Sequence, residues 1–302
     1  MNKSKLFTLT MLSTISIWAH TGHINWSGWD FDWEVKDGAG LAIRNVQFQN
    51  HSYIYKASLP VIRVHYETVG NPPTTCGPYA DRIDWPNLQP IPWCNNGKLC
   101  QQSFTANGHN WLKVAILGAI GSYRLYQVWF FSDDGWIHAQ LYSKGLQCQI
   151  DHQHHPYWRF DLDVDGPAND QVFVFDNGGP DSGWGAGWSK HKTELNEARN
   201  PPGDRKWFVR DGSTARGVWV IPSVDETAPS DSFSNKDAAS RLYRGSEDAG
   251  WQFGPSGHLG FNDGENIEEK DVVFWYVAHL RHDHQDGGDQ WHVVGPWLKM
   301  KP

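Results

Sequence analysis

From Trp29 onward, short apolar runs recur between turn signals, the mark of β-strands joined by turns rather than of long helices. Trp29 to Val35 alternates, Leu41 to Phe48 follows the turn signal Asp37-Gly38, and Ser52 to Tyr66 is rich in β-branched and aromatic residues. Trp111 to Ile120, Tyr123 to Phe131 and Trp136 to Tyr142 predict further strands, the last two joined by the hairpin signal Ser132-Asp133-Asp134-Gly135. A strand through His152 and the aspartates after it comes next, followed by Gln171 to Phe175, Trp207 to Arg210, Val218 to Pro222 and Asp271 to Leu280.

Three stretches interrupt this pattern. Residues 67 to 102 contain Pro72-Pro73, Pro86, Pro90, Pro92 and three of the four cysteines, and read as a long stapled loop. A Gly/Trp-rich loop, Gly178 to Trp188, leads into the one expected helix, Ser189 to Arg199, which Pro201-Pro202 stops. Residues 223 to 264 are polar and Gly-rich. No internal repeat or clean linker is visible. The expectation is an all-β fold, one large β-sandwich.

Composition agrees: 302 residues with 18 Trp, 30 Gly, 17 Pro and only 3 Met suit strands and tight turns better than long helices. The formal net charge of -8 argues against a nucleic-acid partner and is compatible with a cationic substrate. Lys3 and Lys5 precede the mostly apolar run Leu6 to Trp18, with Ala19 as a small residue before cleavage, so residues 1–19 read as a secretory signal and 20–302 as a single domain. That run is too short for a comfortable membrane span and no later one is longer, so a secreted protein without a membrane anchor is expected. Cys76, Cys94, Cys100 and Cys148 are consistent with two disulfides, for which three pairings are possible.

The chemistry concentrates in His152-Gln153-His154, followed by Arg159 and Asp161-Leu162-Asp163-Val164-Asp165-Gly166. Residues i and i+2 of a strand face the same way, so both imidazoles can bind one metal, and imidazole suits copper, zinc or iron. Asp161 and Asp163 share a face in the same way and offer oxygen ligands suited to calcium or manganese. A third imidazole is available from His279-Leu280-Arg281-His282-Asp283-His284, and Asp271 can add a carboxylate to the aspartate pair. The plain alternatives are a secreted surface decorated with histidines and a solvated Asp-Gly turn. Trp85, Trp93, Trp184 and Trp188 fall in expected loops and suggest a second class, a protein whose aromatic faces stack on a ligand. Cleavage after Ala19 would also leave His20 at the new N-terminus, where amine and imidazole together can bind copper.

His-Gln-His, then Arg, then Asp-x-Asp-x-Asp-Gly-x-x-Asn ending at Asn169 resembles the copper-containing quinone amine oxidases. Trp29 to Tyr66 is similar to the opening strands of that family's catalytic β-sandwich, Gly121 to Gly135 to a segment of equal length there, and Lys270 to His282 to its closing strand. The resemblance implies copper held by His152, His154 and His282, with His279 or His284 taking the third place if the register slips. It implies a calcium-like second site from Asp161, Asp163 and Asp271, helped by the carbonyls of Leu162 and Val272. Tyr123 aligns with the tyrosine that such enzymes convert, with copper and oxygen, into topaquinone. The implied reaction oxidises a primary amine with molecular oxygen to aldehyde, ammonia and hydrogen peroxide, often in a homodimer. The chain departs from the family pattern on both sides of Tyr123, where it reads Ala119-Ile120-Gly121-Ser122-Tyr123-Arg124 instead of Thr-x-x-Asn-Tyr-Asp/Glu. The family's basic aspartate has its nearest counterpart in Asp84 of Ile83-Asp84-Trp85-Pro86, with Asp81 second.

Overall fold

The structure, a computed structural model, describes residues 13–17, 20–67, 76–223, 226, 237–245 and 262–302. Two large antiparallel sheets face each other, as the series of short strands predicts. One sheet has ten strands among the described residues and runs in the order Leu195–Glu197, Ala238–Leu242, Val272–Val277, His152–Asp161, His51–Tyr66, Gly40–Phe48, Trp29–Lys36 and Thr21–Trp26. Short strands Leu280–His282 and Tyr79–Asp81 flank its middle, pairing with His152–Asp161 and His51–Tyr66 respectively. The other sheet, of twelve strands among the described residues, has as its main path Ser13–Ile17, Leu99–Ala106, His109–Ile120, Tyr123–Ser132, Trp136–Lys144, Trp297–Lys301, Gly217–Ile221, Lys206–Asp211, Asp170–Phe175 and Trp188–His191.

The core lies between the sheets because alternate residues of each strand point inward. In Trp29–Lys36 the inward set is Trp29, Phe31, Trp33 and Val35, all buried, while Asp30, Asp32 and Glu34 between them are half-exposed. Trp129 of one sheet meets Trp158 of the other edge-on, ring centres 5.2 Å apart. The strand His152–Asp161 is buried along its whole length, on both faces, which is why its sequence does not alternate.

Most of the expected strands are present with ends shifted by a residue or two. The expected helix Ser189 to Arg199 is not. Trp188–His191 pairs with Asp170–Phe175, and Leu195–Glu197 pairs with Ala238–Leu242 in the opposite sheet. Cross-strand packing of Trp188 against Phe173 and Phe175 overrides the local helical preference of Lys, Glu and Ala. The stretch expected as loop contains Tyr79–Asp81, Leu88–Gln89 and the start of Leu99–Ala106, and Ala238–Leu242 lies unforeseen within 223 to 264. Pro72-Pro73, Ala19 and most of the Leu6 to Trp18 run lie outside the described residues; Ser13–Ile17 pairs with Leu99–Ala106.

The cysteines pair as Cys76–Cys148 and Cys94–Cys100. No helix among the described residues is long and apolar enough to cross a membrane.

Candidate metal centre

Strand pairing builds the histidine cluster. His152 faces Tyr66 on one neighbouring strand and His282 on the other, so the three residues form one rung across the ten-stranded sheet. His154 lies two residues along on the same face, its ring centre 5.1 Å from that of His152 and 4.7 Å from that of His282. One ring nitrogen from each of the three lies within 4.8 Å of the other two. All three are buried, at 2% exposure or less. Of the three C-terminal histidines in question, His282 is the one that joins the cluster. His279 turns to the opposite side and bonds Asp237 at 2.7 Å and His155 at 2.8 Å, while His284 is exposed and bonds Asp151 at 2.6 Å.

Hydrogen bonds fix which nitrogens are free. His152 donates from Nδ1 to the carbonyl of Ile150 at 2.9 Å, which leaves the lone pair on Nε2. The carbonyl of Gly145 accepts from His282, whose Nε2 has no hydrogen-bond partner. Neither ring nitrogen of His154 has one. Buried polar atoms are rarely left unpaired, and here the orphaned nitrogens converge. Burial lowers the pKa of His152 and holds that of His154 well below the usual imidazole value; burial, reinforced by His292 and His152, takes His282 down to about 2. Three neutral imidazoles with convergent lone pairs are the form a metal requires, so the donor set fits copper or zinc.

Tyr123 reaches this cluster from the other sheet. Its hydroxyl donates to Nε2 of His152 at 2.9 Å and accepts from Tyr66 at 2.6 Å and from the backbone N–H of Gln147. Burial raises its pKa, against the lowering effect of those two donors. The Tyr66 ring stacks on His152 with centres 4.5 Å apart. Gly145 makes the approach possible: at φ +127° a side chain would be strained, and its Cβ would sit 2.9 Å from Cα of Tyr123.

Sequence reasoning places neither Tyr66 nor His292 in the site. His292 has its ring centre 4.2 Å from that of His282. No local motif marks either residue: Tyr66 arrives by strand pairing with His152, and His292 comes from a short strand of the facing sheet, where it pairs with Ser143. Asp84 is occupied elsewhere: it accepts from the N–H of Gly38 at 2.7 Å, faces Arg82 at 3.4 Å and caps the short turn Trp85–Asn87. The carboxyl whose charge acts on both Tyr66 and Tyr123 is Asp81, which burial raises to about 6.

A second cluster lies at the other end of the His152–Asp161 strand. Carboxylate oxygens of Asp161, Asp163 and Asp271 lie within 4.8 Å of one another, and Arg159 bonds Asp161 at 3.2 Å. Asp170, which the sequence reading passes over, repels the same group. Burial and mutual repulsion raise Asp163 to about 7, Asp271 to about 6 and Asp170 to about 9. One oxygen each of Asp163, Asp170 and Asp271 is buried without a hydrogen-bond partner. The arrangement fits a hard divalent cation such as calcium. Of the two expected helper carbonyls, that of Leu162 accepts from Val164 at 2.9 Å.

No protein-family model matches the sequence, and no curated protein does. Solved structures do match the fold. A copper-containing benzylamine oxidase from Hansenula polymorpha superposes with a TM-score of 0.72 at 15% identity, covering 92% of this chain and 59% of that one. An amine oxidase from Aspergillus nidulans gives 0.71 at 14%, and a lysyl oxidase from Pichia pastoris 0.67 at 13%, each covering 92% of this chain and 51% of its own. This chain therefore spans about half to three-fifths of those proteins, and what it shares with them is the large β-sandwich.

Proposed function

We propose that this protein is a secreted copper amine oxidase that deaminates a primary amine with molecular oxygen, giving aldehyde, ammonia and hydrogen peroxide. One observation carries the reading: a buried phenol, Tyr123, bonded to one of three convergent neutral imidazoles. The fold is similar to that of a copper-containing benzylamine oxidase and of other amine oxidases. Copper and a topaquinone made from Tyr123 would together supply the carbonyl that takes up the amine and the electron store that passes to oxygen.

The chain's own residues would do the rest. His152, His154 and His282 hold the metal. Ile150 and Gly145, accepting from His152 and His282, fix those two rings and keep their other nitrogens basic. Tyr66 orients the oxygen of Tyr123. Asp81, raised to about 6, is the better-suited base of the two aspartates considered, because it can hold a proton taken from the substrate carbon and release it near neutral pH. Asp84 is committed to Gly38 and Arg82. Asp161, Asp163 and Asp271 would bind calcium as a structural ion. Two disulfides are compatible with an oxidising, extracellular setting.

The test is a phenylhydrazine titration of copper-reconstituted, aerated protein, followed by mass spectrometry of the Tyr123 peptide. A coloured adduct on Tyr123 supports the oxidase. Unmodified Tyr123 in fully copper-loaded protein would reject it and leave a metal-binding relative of the same fold. The changed neighbours Ser122 and Arg124 favour that second reading.

A further inference from the structure

The outer face of the twelve-stranded sheet carries a groove unrelated to the metal centre. Its floor is Tyr126, Val128 and Phe130, which alternate with the inward residues Leu125, Gln127 and Trp129. Trp93 forms one wall. It sits on the short turn Pro92–Cys94, which the Cys94–Cys100 disulfide pins to the sheet. Trp291 forms the other wall, its ring 5.2 Å from that of Tyr126. Trp93 and Trp291 are 45% and 41% exposed, high for tryptophans whose neighbours are fixed. The groove is open to solvent on one side, and its volume of about 360 Å³ is at the low end of the ~300–1,000 Å³ common for small-ligand pockets.

One charged group enters this aromatic space. Lys113 places its ammonium 3.6 Å from the centre of the Trp93 ring and forms no ion pair among the described residues. The nearby Lys144 is matched by Asp289 at 3.2 Å, so Lys113 is the cation left over. Burial lowers the Lys113 pKa to about 8, which leaves it charged at neutral pH. A cation kept in an apolar groove without a counter-charge calls for an anion that brings apolar surface with it.

We infer that this groove binds a flat aromatic carboxylate, its ring stacked between Trp93 and Trp291 and its carboxylate on Lys113. A neutral aromatic would leave the ammonium with the Trp93 ring face and no counter-charge, and a small inorganic anion would leave both tryptophans exposed.

Calorimetric titration with 2-naphthoate and with its uncharged amide tests the assignment. Saturable binding of naphthoate, about tenfold or more tighter than the amide, is expected for a charge-assisted contact. Lys113→Met keeps the stem and removes the charge, and should abolish the preference between the probes. Trp93→Ala should weaken both. Equal affinity for acid and amide, a preference that survives Lys113→Met, or no saturation would overturn the proposal. So would light scattering that shows dimers dissociated by Trp93→Ala, since a second copy would then be the occupant.

Discussion

Tyr123 of one sheet donates a hydrogen bond to Nε2 of His152 in the other at 2.9 Å, and that nitrogen is the one a metal would use. The phenol and a metal therefore compete for a single lone pair. Metal loading must release the Tyr123 proton-donor bond, and the phenol keeps its two donors, Tyr66 and the N–H of Gln147.

His154→Ala removes the imidazole with no other hydrogen-bond partner. Copper affinity should drop by more than the ~10–100-fold typical of losing a supporting residue around a metal, because a ligand itself is lost. Metal analysis after dialysis checks this, with circular dichroism as the folding control. Normal copper stoichiometry would reject His154 as a ligand.

Tyr66→Phe keeps the ring stacked on His152 and deletes the donor to Tyr123. Stability should fall by about 1 kcal/mol, the net worth of one hydrogen bond. Copper stoichiometry should be unchanged, since Tyr66 supplies no ligand. A variant that loses copper would show that Tyr66 holds the metal more directly.

Calcium should raise the melting temperature by relieving repulsion among Asp161, Asp163, Asp170 and Asp271. The gain is about 2.7 kcal/mol at roughly one hundred times the dissociation constant. Asp163→Asn should abolish the calcium effect and raise stability in a chelator, where one repelling charge has gone. A variant still stabilised by calcium would place the ion elsewhere.

His138 stacks on Trp297 with ring centres 3.6 Å apart, and burial lowers its pKa from 6.5 to about 3. Between those values the unfolded chain binds the proton and the folded one does not, so stability is complete above pH 6.5 and is lost as pH falls toward 3. The slope is at most about 1.4 kcal/mol per pH unit from this residue. His138→Phe should flatten the pH dependence of urea denaturation over that window; identical slopes in the two proteins would reject the assignment.

The sandwich is readable in the sequence where a strand buries one face, as Trp29–Lys36 does, because period-two alternation records that directly. His152 and His154 are readable for the same reason, as i and i+2 on one strand. Tyr66 is not, since it joins His152 only through the pairing of separate strands. Ser189 to Arg199 misleads because its residues favour helix locally, while aromatic contacts of the adjoining Trp188 with a neighbouring strand decide the outcome. Asp81 and Asp84 are separated by two residues, and only the folded turn shows that one is buried near the phenols and the other is tied to Gly38.

The three histidines all belong to one sheet, whereas the phenol comes from the facing one. The two halves of the centre are therefore independently inheritable. A lineage can erode the packing that presents Tyr123 and still bind metal for as long as two adjacent strands keep their register. Retained metal affinity in a divergent member of such a fold is, by this geometry, no witness to retained catalysis.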